Sequence, residues 1–252
     1  MRRNARTQGT ARRPIRPVAA GLAALVLVLG ATAVRAEATG PGPTFVNSAT
    51  AGKVSAGSLI LPRPAGTSAG DVLVAGVAEH EVGAATPPPG WKLIRQDKAN
   101  QDIWLWLYYR VAGSSEPAHY VWKVGDRAAN GAVLVYRHVD TAHPIVASAG
   151  SAAAGGSAAI VAPSMAVGSL SPTRLVMFAT VEGPTPNPIT PPAGFSERTE
   201  RDVHPSTESS DLLFSGTGAT GSRTAKPKVG GGQIGHIGSI VALRPATGTA
   251  AR

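Results

Sequence analysis

Thr86-Pro-Pro-Pro-Gly-Trp91 returns 104 positions later as Thr190-Pro-Pro-Ala-Gly-Phe195. Proline fixes φ and offers no N–H, so a strand must stop there. Glycine then permits a left-handed turn. The aromatic restarts the next strand and can plug the end of a sandwich. An apolar run precedes each element, Val72–Val77 in the first case and Leu175–Val181 in the second. Further out, Leu59-Ile-Leu-Pro62 matches Ile160-Val-Ala-Pro163, and Gly131-Ala-Val-Leu-Val-Tyr-Arg137 matches Gly238-Ser-Ile-Val-Ala-Leu-Arg244. These two pairs are offset by 101 and 107 residues, so the spacing drifts little over a unit of about 100.

From Thr44 on, no helical period is visible. Short β-branched runs alternate with Gly, Pro, Ser and Asn at the spacing of an all-β sandwich. One set of strands is expected at Phe45–Ser48, Ser58–Leu61, Asp71–Ala78, Trp91–Gln96, Ile103–Val111, Ala118–Val124 and Gly131–Val139. A second set is expected at Ala158–Ala162, Arg174–Val181, Phe195–Arg201, Leu212–Ser215, Thr224–Val229 and Ile237–Arg244. The expectation is an antiparallel, jelly-roll-like β-sandwich protein built from two homologous copies, at 44–146 and 158–245. An Ala/Gly/Ser join at 147–157 would separate them. The copies form either two small sandwiches or one larger one. Without disulfides a unit of about 100 residues is marginal alone, so the copies are expected to pack closely.

The chain has 252 residues, with 24 Lys+Arg against 15 Asp+Glu and a net charge of +9. Seven arginines lie in the first 36 residues, where there is no acid, which leaves 17 against 15 beyond them. Residues 1–36 combine a basic start, the apolar run Val18–Val34 and a Val34-Arg35-Ala36 ending, the pattern of a secretory signal peptide. A short leader at 37–43 and a tail at 246–252 are expected to be flexible. The location is therefore secreted; the alternative is an uncleaved N-terminal anchor facing outside, the sole route to a membrane. A near-neutral mature chain has no phosphate-tracking stripe, which argues against nucleic acid. With no Cys, disulfides and thiolate sites are excluded.

The string Gly70-Asp-Val-Leu-Val74, Pro88-Pro-Gly-Trp91, Tyr108-Tyr-Arg-Val-Ala112, Glu116-Pro117, Tyr120-x-Trp122 and Gly131 to Asp140 resembles a tandem β-sandwich repeat of secreted, mostly uncharacterised actinobacterial proteins. The second copy departs from it: Thr173-Arg174 replaces Gly-Asp, Phe195 replaces Trp, and the Tyr-Tyr and Tyr-x-Trp elements are absent. The resemblance implies a sandwich fold and an exterior location. It supplies no catalytic residues.

All four Trp and all four Tyr lie in the first copy. Period 2 places Trp104, Trp106 and Tyr108 on one strand face, with Ile103, Leu105, Leu107 and Tyr109 on the other. Tyr120 and Trp122 share a face on another strand. Two readings stand: a platform that stacks on sugar rings, or a core of large side chains in an otherwise Ala-, Val- and Gly-rich unit. Glu79-His80-Glu81 follows an apolar strand, and Glu182 occupies a corresponding place in the second copy. These four are the acid–base or cation candidates, against a solvated loop in which His80 points away from Glu79 and Glu81. The six histidines show no H-x-H or H-E-x-x-H spacing, so no metal and no cofactor is expected. Glu197, Arg198, Glu200, Arg201 and Asp202 alternate in sign and read as a solvated face.

Three functions remain. The first is a non-catalytic binding or adhesion module, with a polysaccharide or cell-surface component as partner. The second is a structural or surface-assembly protein. The third is a hydrolase with an unidentified carboxylate pair.

Overall fold

The computed structural model describes residues 41–53, 57–81, 83–100, 103–155, 159–183, 187–229 and 235–247. The expected signal peptide at 1–36 lies outside them, as do most of the leader and of the tail. Residues 37–252 form one compact unit, so both halves belong to a single body. Among the described residues no helix occurs. The first half comprises β1 (Thr44–Lys53), β2 (Ser58–Pro62), β3 (Val72–His80), β4 (Lys92–Ala99), β5 (Ile103–Val111), β6 (His119–Lys123) and β7 (Ala129–Arg137). The second comprises β8 (Ile145–Ala154), β9 (Ile160–Ala162), β10 (Ala166–Gly168), β11 (Thr173–Glu182), β12 (Ile189–Thr190), β13 (Ser196–Arg201), β14 (Ser206–Phe214), β15 (Gly218–Ala219), β16 (Arg223–Pro227) and β17 (Gly235–Leu243).

The first large sheet runs β1-β7-β3-β5-β4 and faces a small sheet, β2-β6. First pairs with last, second with penultimate and third with fifth, which is a jelly-roll-like winding. The second large sheet, read from β8, runs β8-β17-β11-β14-β13, and its small sheet is β9-β16 with β12 added. The strand order is thus the same in both halves, and every pairing is antiparallel. The Pro-Pro-x-Gly-aromatic elements also match. The Trp91 amide donates to Pro88 O and the Phe195 amide to Pro192 O, over glycines with φ of 88° at Gly90 and 82° at Gly194.

The layers are small sheet, large sheet, large sheet, small sheet. In each half one face of the large sheet meets its small sheet, around Leu73, Trp106 and Trp122 in the first and Met177, Ile160 and Ile240 in the second. The other faces meet each other. There Val74, Leu105, Leu107, Leu134 and Tyr136 pack with Val176, Phe178, Ile237, Val241 and Leu243. Burial on both faces explains why β3, β7, β11 and β17 are near-continuous apolar runs rather than alternating ones. By register, Val77 pairs with Gly131 as Ala179 pairs with Gly238. Gly76 and Phe178 therefore hold corresponding places, as do His80 and Glu182. Gly76 and Phe178 lie against each other, the ring filling the space that the absent side chain leaves.

Polar ties cross the same interface. Asp211, fully buried, accepts from Tyr136 Oη (2.9 Å), Arg198 Nη2 (2.9 Å) and Arg174 Nη1 (3.2 Å). Ser239 Oγ lies 2.5 Å from Asp97 Oδ2. The Asn130 amide donates to the carbonyls of Val203 and Pro205.

Two expectations are corrected. Of the Ala/Gly/Ser stretch at 147–157, read as a join, residues 147–154 form most of β8, which pairs along β17 from Ile145 to Ala154, and 156–157 lie outside the described residues. Small side chains suit that edge, because the first half lies against it; at Gly150 the neighbours are Arg95 and Asp97. The charged run Glu197–Asp202 is no solvated face. β13 lies beside β1, Arg198 turns inward to Asp211, and its guanidinium sits 4.0 Å over the Phe45 ring.

Candidate functional site

The alternation read in Ile103–Val111 is correct, and it directs the aromatics inward. Trp106, Tyr108, Tyr120 and Trp122 are buried between the first large sheet and β2-β6, joined by Trp91. Tyr108 Oη donates to Ala85 O (2.7 Å) and Tyr120 Oη to Glu116 (2.8 Å). Trp104 is partly buried, stacked on Trp106 at 5.6 Å and 7°, with Lys98 Nζ 4.5 Å above it. The flat sugar-stacking platform is thereby replaced by a core, with these rings packed beneath β2-β6.

The second half fills the corresponding strand differently. Register places Ser206, Glu208 and Ser210 of β14 where β5 carries Trp104, Trp106 and Tyr108. All three are buried. Burial pushes the Glu208 carboxyl well above the ordinary range, and the neighbouring Glu197 and Glu200 add to it. Glu200 is also raised by burial, while it accepts from the Ile189 amide at 2.5 Å.

The four acid-loop candidates separate. Glu79 is no loop residue. It is the penultimate residue of β3, on the inner face, fully buried, and accepts from the Ala84 amide (3.1 Å) and the Gly125 amide. Burial raises its pKa, partly offset by these two bonds. It ties the β3–β4 and β6–β7 loops together, a structural role. His80, as alternation requires, points to the opposite face, toward the second half. Glu81 was expected to oppose His80 but does not. Its φ of 62° turns the chain, bringing Glu81 Oε1 to 3.2 Å from His80 Nε2, while Arg127 Nε holds the other oxygen at 3.2 Å.

Glu182, at the end of β11, is fully buried at the same place. Its Oε2 lies 3.2 Å from His80 Nδ1 and its Oε1 2.6 Å from His204 Nε2. The two imidazoles meet edge to face, with centroids 4.4 Å apart. The hydrogen bond to Glu182 raises the His204 pKa, and a bond to the Gly183 backbone adds to it. The histidines, expected to be scattered, thus converge in part. His80 and His204 are 124 residues apart in sequence, and they meet because β3 and β11 cross at the interface while the β13–β14 turn folds over them. No local spacing could have signalled His204 or Arg127.

Charged groups at this end include Glu81, Arg127 and His204, drawn from both halves. Two imidazoles on a buried carboxylate can share protons or can hold a cation in their place. No family model, curated protein or solved structure matches the chain.

Proposed function

We propose that the chain is an exported, non-catalytic binding or adhesion module made of two homologous sandwiches, and that it takes a polysaccharide or another cell-surface component. The observation that supports this reading is the meeting of loops from both halves at one end of a body fused through a shared core. Sandwich loops held by a rigid framework are the usual carriers of recognition. Here Glu81, Arg127 and His204 offer donors and acceptors of the kind a hydroxyl-rich ligand requires. The N-terminal export pattern is consistent with such a role.

Retention on a panel of insoluble polysaccharides and cell-wall preparations tests it. The wild type should be retained by at least one, and the double variant Glu81→Ala/Arg127→Ala, folded by circular dichroism, should bind that material at least tenfold more weakly. A folded wild type retained by none would reject the proposal. A second reading, surface assembly, is favoured by Ile60 and Val121. They pair directly across β2 and β6 and stand 52% and 42% exposed on the outer face of the lid. A defined oligomer that Ile60→Ser dissociates would support it.

A further inference from the structure

We propose that His80, Glu182 and His204 are the protein ligands of a divalent transition-metal ion of the zinc class, held between the two halves of the chain. One donor atom from each of the three lies within 4.8 Å of the others. Two imidazoles and a carboxylate, with a position left open, are a recognised zinc donor set. The nitrogen share selects a borderline cation over magnesium or calcium, which want oxygen.

Three observations carry the proposal beyond proximity. Glu182 has no solvent exposure, and among the described residues its two oxygens meet His80 and His204. A buried carboxylate is costly unless it is paired or coordinates a metal. Each imidazole also has a second partner, which for His80 sits at the far nitrogen. His80, whose Nδ1 faces Glu182, turns Nε2 to Glu81, which Arg127 steadies in turn. His204, whose Nε2 faces Glu182, bonds the Gly183 backbone. An acceptor on the far nitrogen fixes the tautomer and orients the ring of a metal-bound histidine. Finally, the His80 and His204 side chains are 19% and 36% exposed, so solvent reaches the site and water can supply a fourth ligand.

Binding requires both imidazoles neutral at the coordinating nitrogen, so the ion enters as protons leave, and affinity falls at acid pH. His80 belongs to the first half, and Glu182 and His204 to the second. The ion therefore ties the halves at the end of the central interface. Glu81 acts as a positioning residue.

The test uses the purified chain without a polyhistidine tag, stripped by chelator and then titrated with zinc chloride by calorimetry. One ion per chain should bind, with proton release, and at zinc a hundredfold above Kd the melting temperature should rise by about 5–10 °C. Cobalt(II) in the same site should show the intense visible bands of a low-coordinate ion. His204→Ala should weaken zinc at least a hundredfold and abolish the melting shift. Glu81→Gln should weaken it about tenfold with the stoichiometry kept. His143→Ala, an exposed residue between β7 and β8, should bind as the wild type does. A folded wild type that takes up neither zinc nor cobalt would overturn the proposal, and so would zinc binding unaltered in folded His80→Ala and His204→Ala. The glycan-retention result has no bearing on these readings.

Discussion

The meeting of Gly76 with Phe178 makes the central interface testable by one methyl group. A Cβ built on Gly76 would sit 2.6 Å from Phe178 Cε1 and 2.9 Å from Cγ. Carbon pairs prefer about 3.5–4.0 Å, so the ring would have to move by about 1 Å. Val176, Ile237 and Val241 pack in the same cluster, and a small cavity lined by Gly76, Phe178 and Ala179 can take up only part of that movement. Overpacking of this kind costs about 1–3 kcal/mol. Alanine in a strand regains about 0.5–1 kcal/mol of the entropy that glycine loses on folding. At the middle of both ranges Gly76→Ala should therefore destabilise by about 1 kcal/mol, a fall of about 2–4 °C in melting temperature for a body of this size. Phe178→Leu alone should also destabilise, since it leaves a cavity. In the double variant the smaller side chain makes room for the methyl, so the combined loss should fall short of additivity by about 0.5–1 kcal/mol. Urea unfolding of the wild type, both single variants and the double variant gives the cycle. A neutral Gly76→Ala, or strict additivity, would refute the face-to-face packing.

Tyr136→Phe removes one donor from the buried Asp211 but leaves Arg174 and Arg198 in place; the urea midpoint should fall by the equivalent of about 1.5 kcal/mol, with an unchanged m value. Glu208, raised by burial, keeps its proton in the folded chain at pH values where the unfolded chain has lost it. Its contribution is full below the ordinary carboxylate range and is lost as pH rises through the raised value. Glu208→Gln cannot ionise, so its urea midpoint should decline less over that rise than the wild type's; parallel declines would reject the argument. A chain ending at Pro144 bares Leu105, Leu107 and Leu134, which the second half covers. Such a fragment should aggregate or fail to melt cooperatively on calorimetry, and a soluble, cooperative one would show that the first half stands alone.

Strand positions were legible because each run is bounded by residues that cannot continue a ladder, as at Pro62 and at Gly90-Trp91. Ile103–Val111 was read with its ends correct, since alternation and aromatic content agree there. β8 was missed because Ala, Gly and Ser carry little strand preference; its conformation comes from pairing with β17. The destination of the aromatics was also illegible. Alternation says which residues share a face, and what covers that face depends on β2-β6, a pairing across about 60 residues. Within the candidate site, the sequence alone points to Glu79, His80, Glu81 and Glu182. Their roles depend on a φ of 62° at Glu81 and on the crossing of two sheets, neither of which a single run of sequence encodes.

The correspondence of Gly76 with Phe178, and of His80 with Glu182, constrains how such an assembly can be put together. In a two-fold homodimer of identical units, an axial position meets its own copy. Glycine would then face glycine and leave a void, phenylalanine would collide with phenylalanine, and two carboxylates would repel. Joining the units in one polypeptide lifts that restriction, because each side of the axis can carry a different residue. A small residue can then seat a large one, and a base can meet an acid. Carrying both halves in one polypeptide thus gives this chain the complementarity of a heterodimer at a fixed one-to-one ratio.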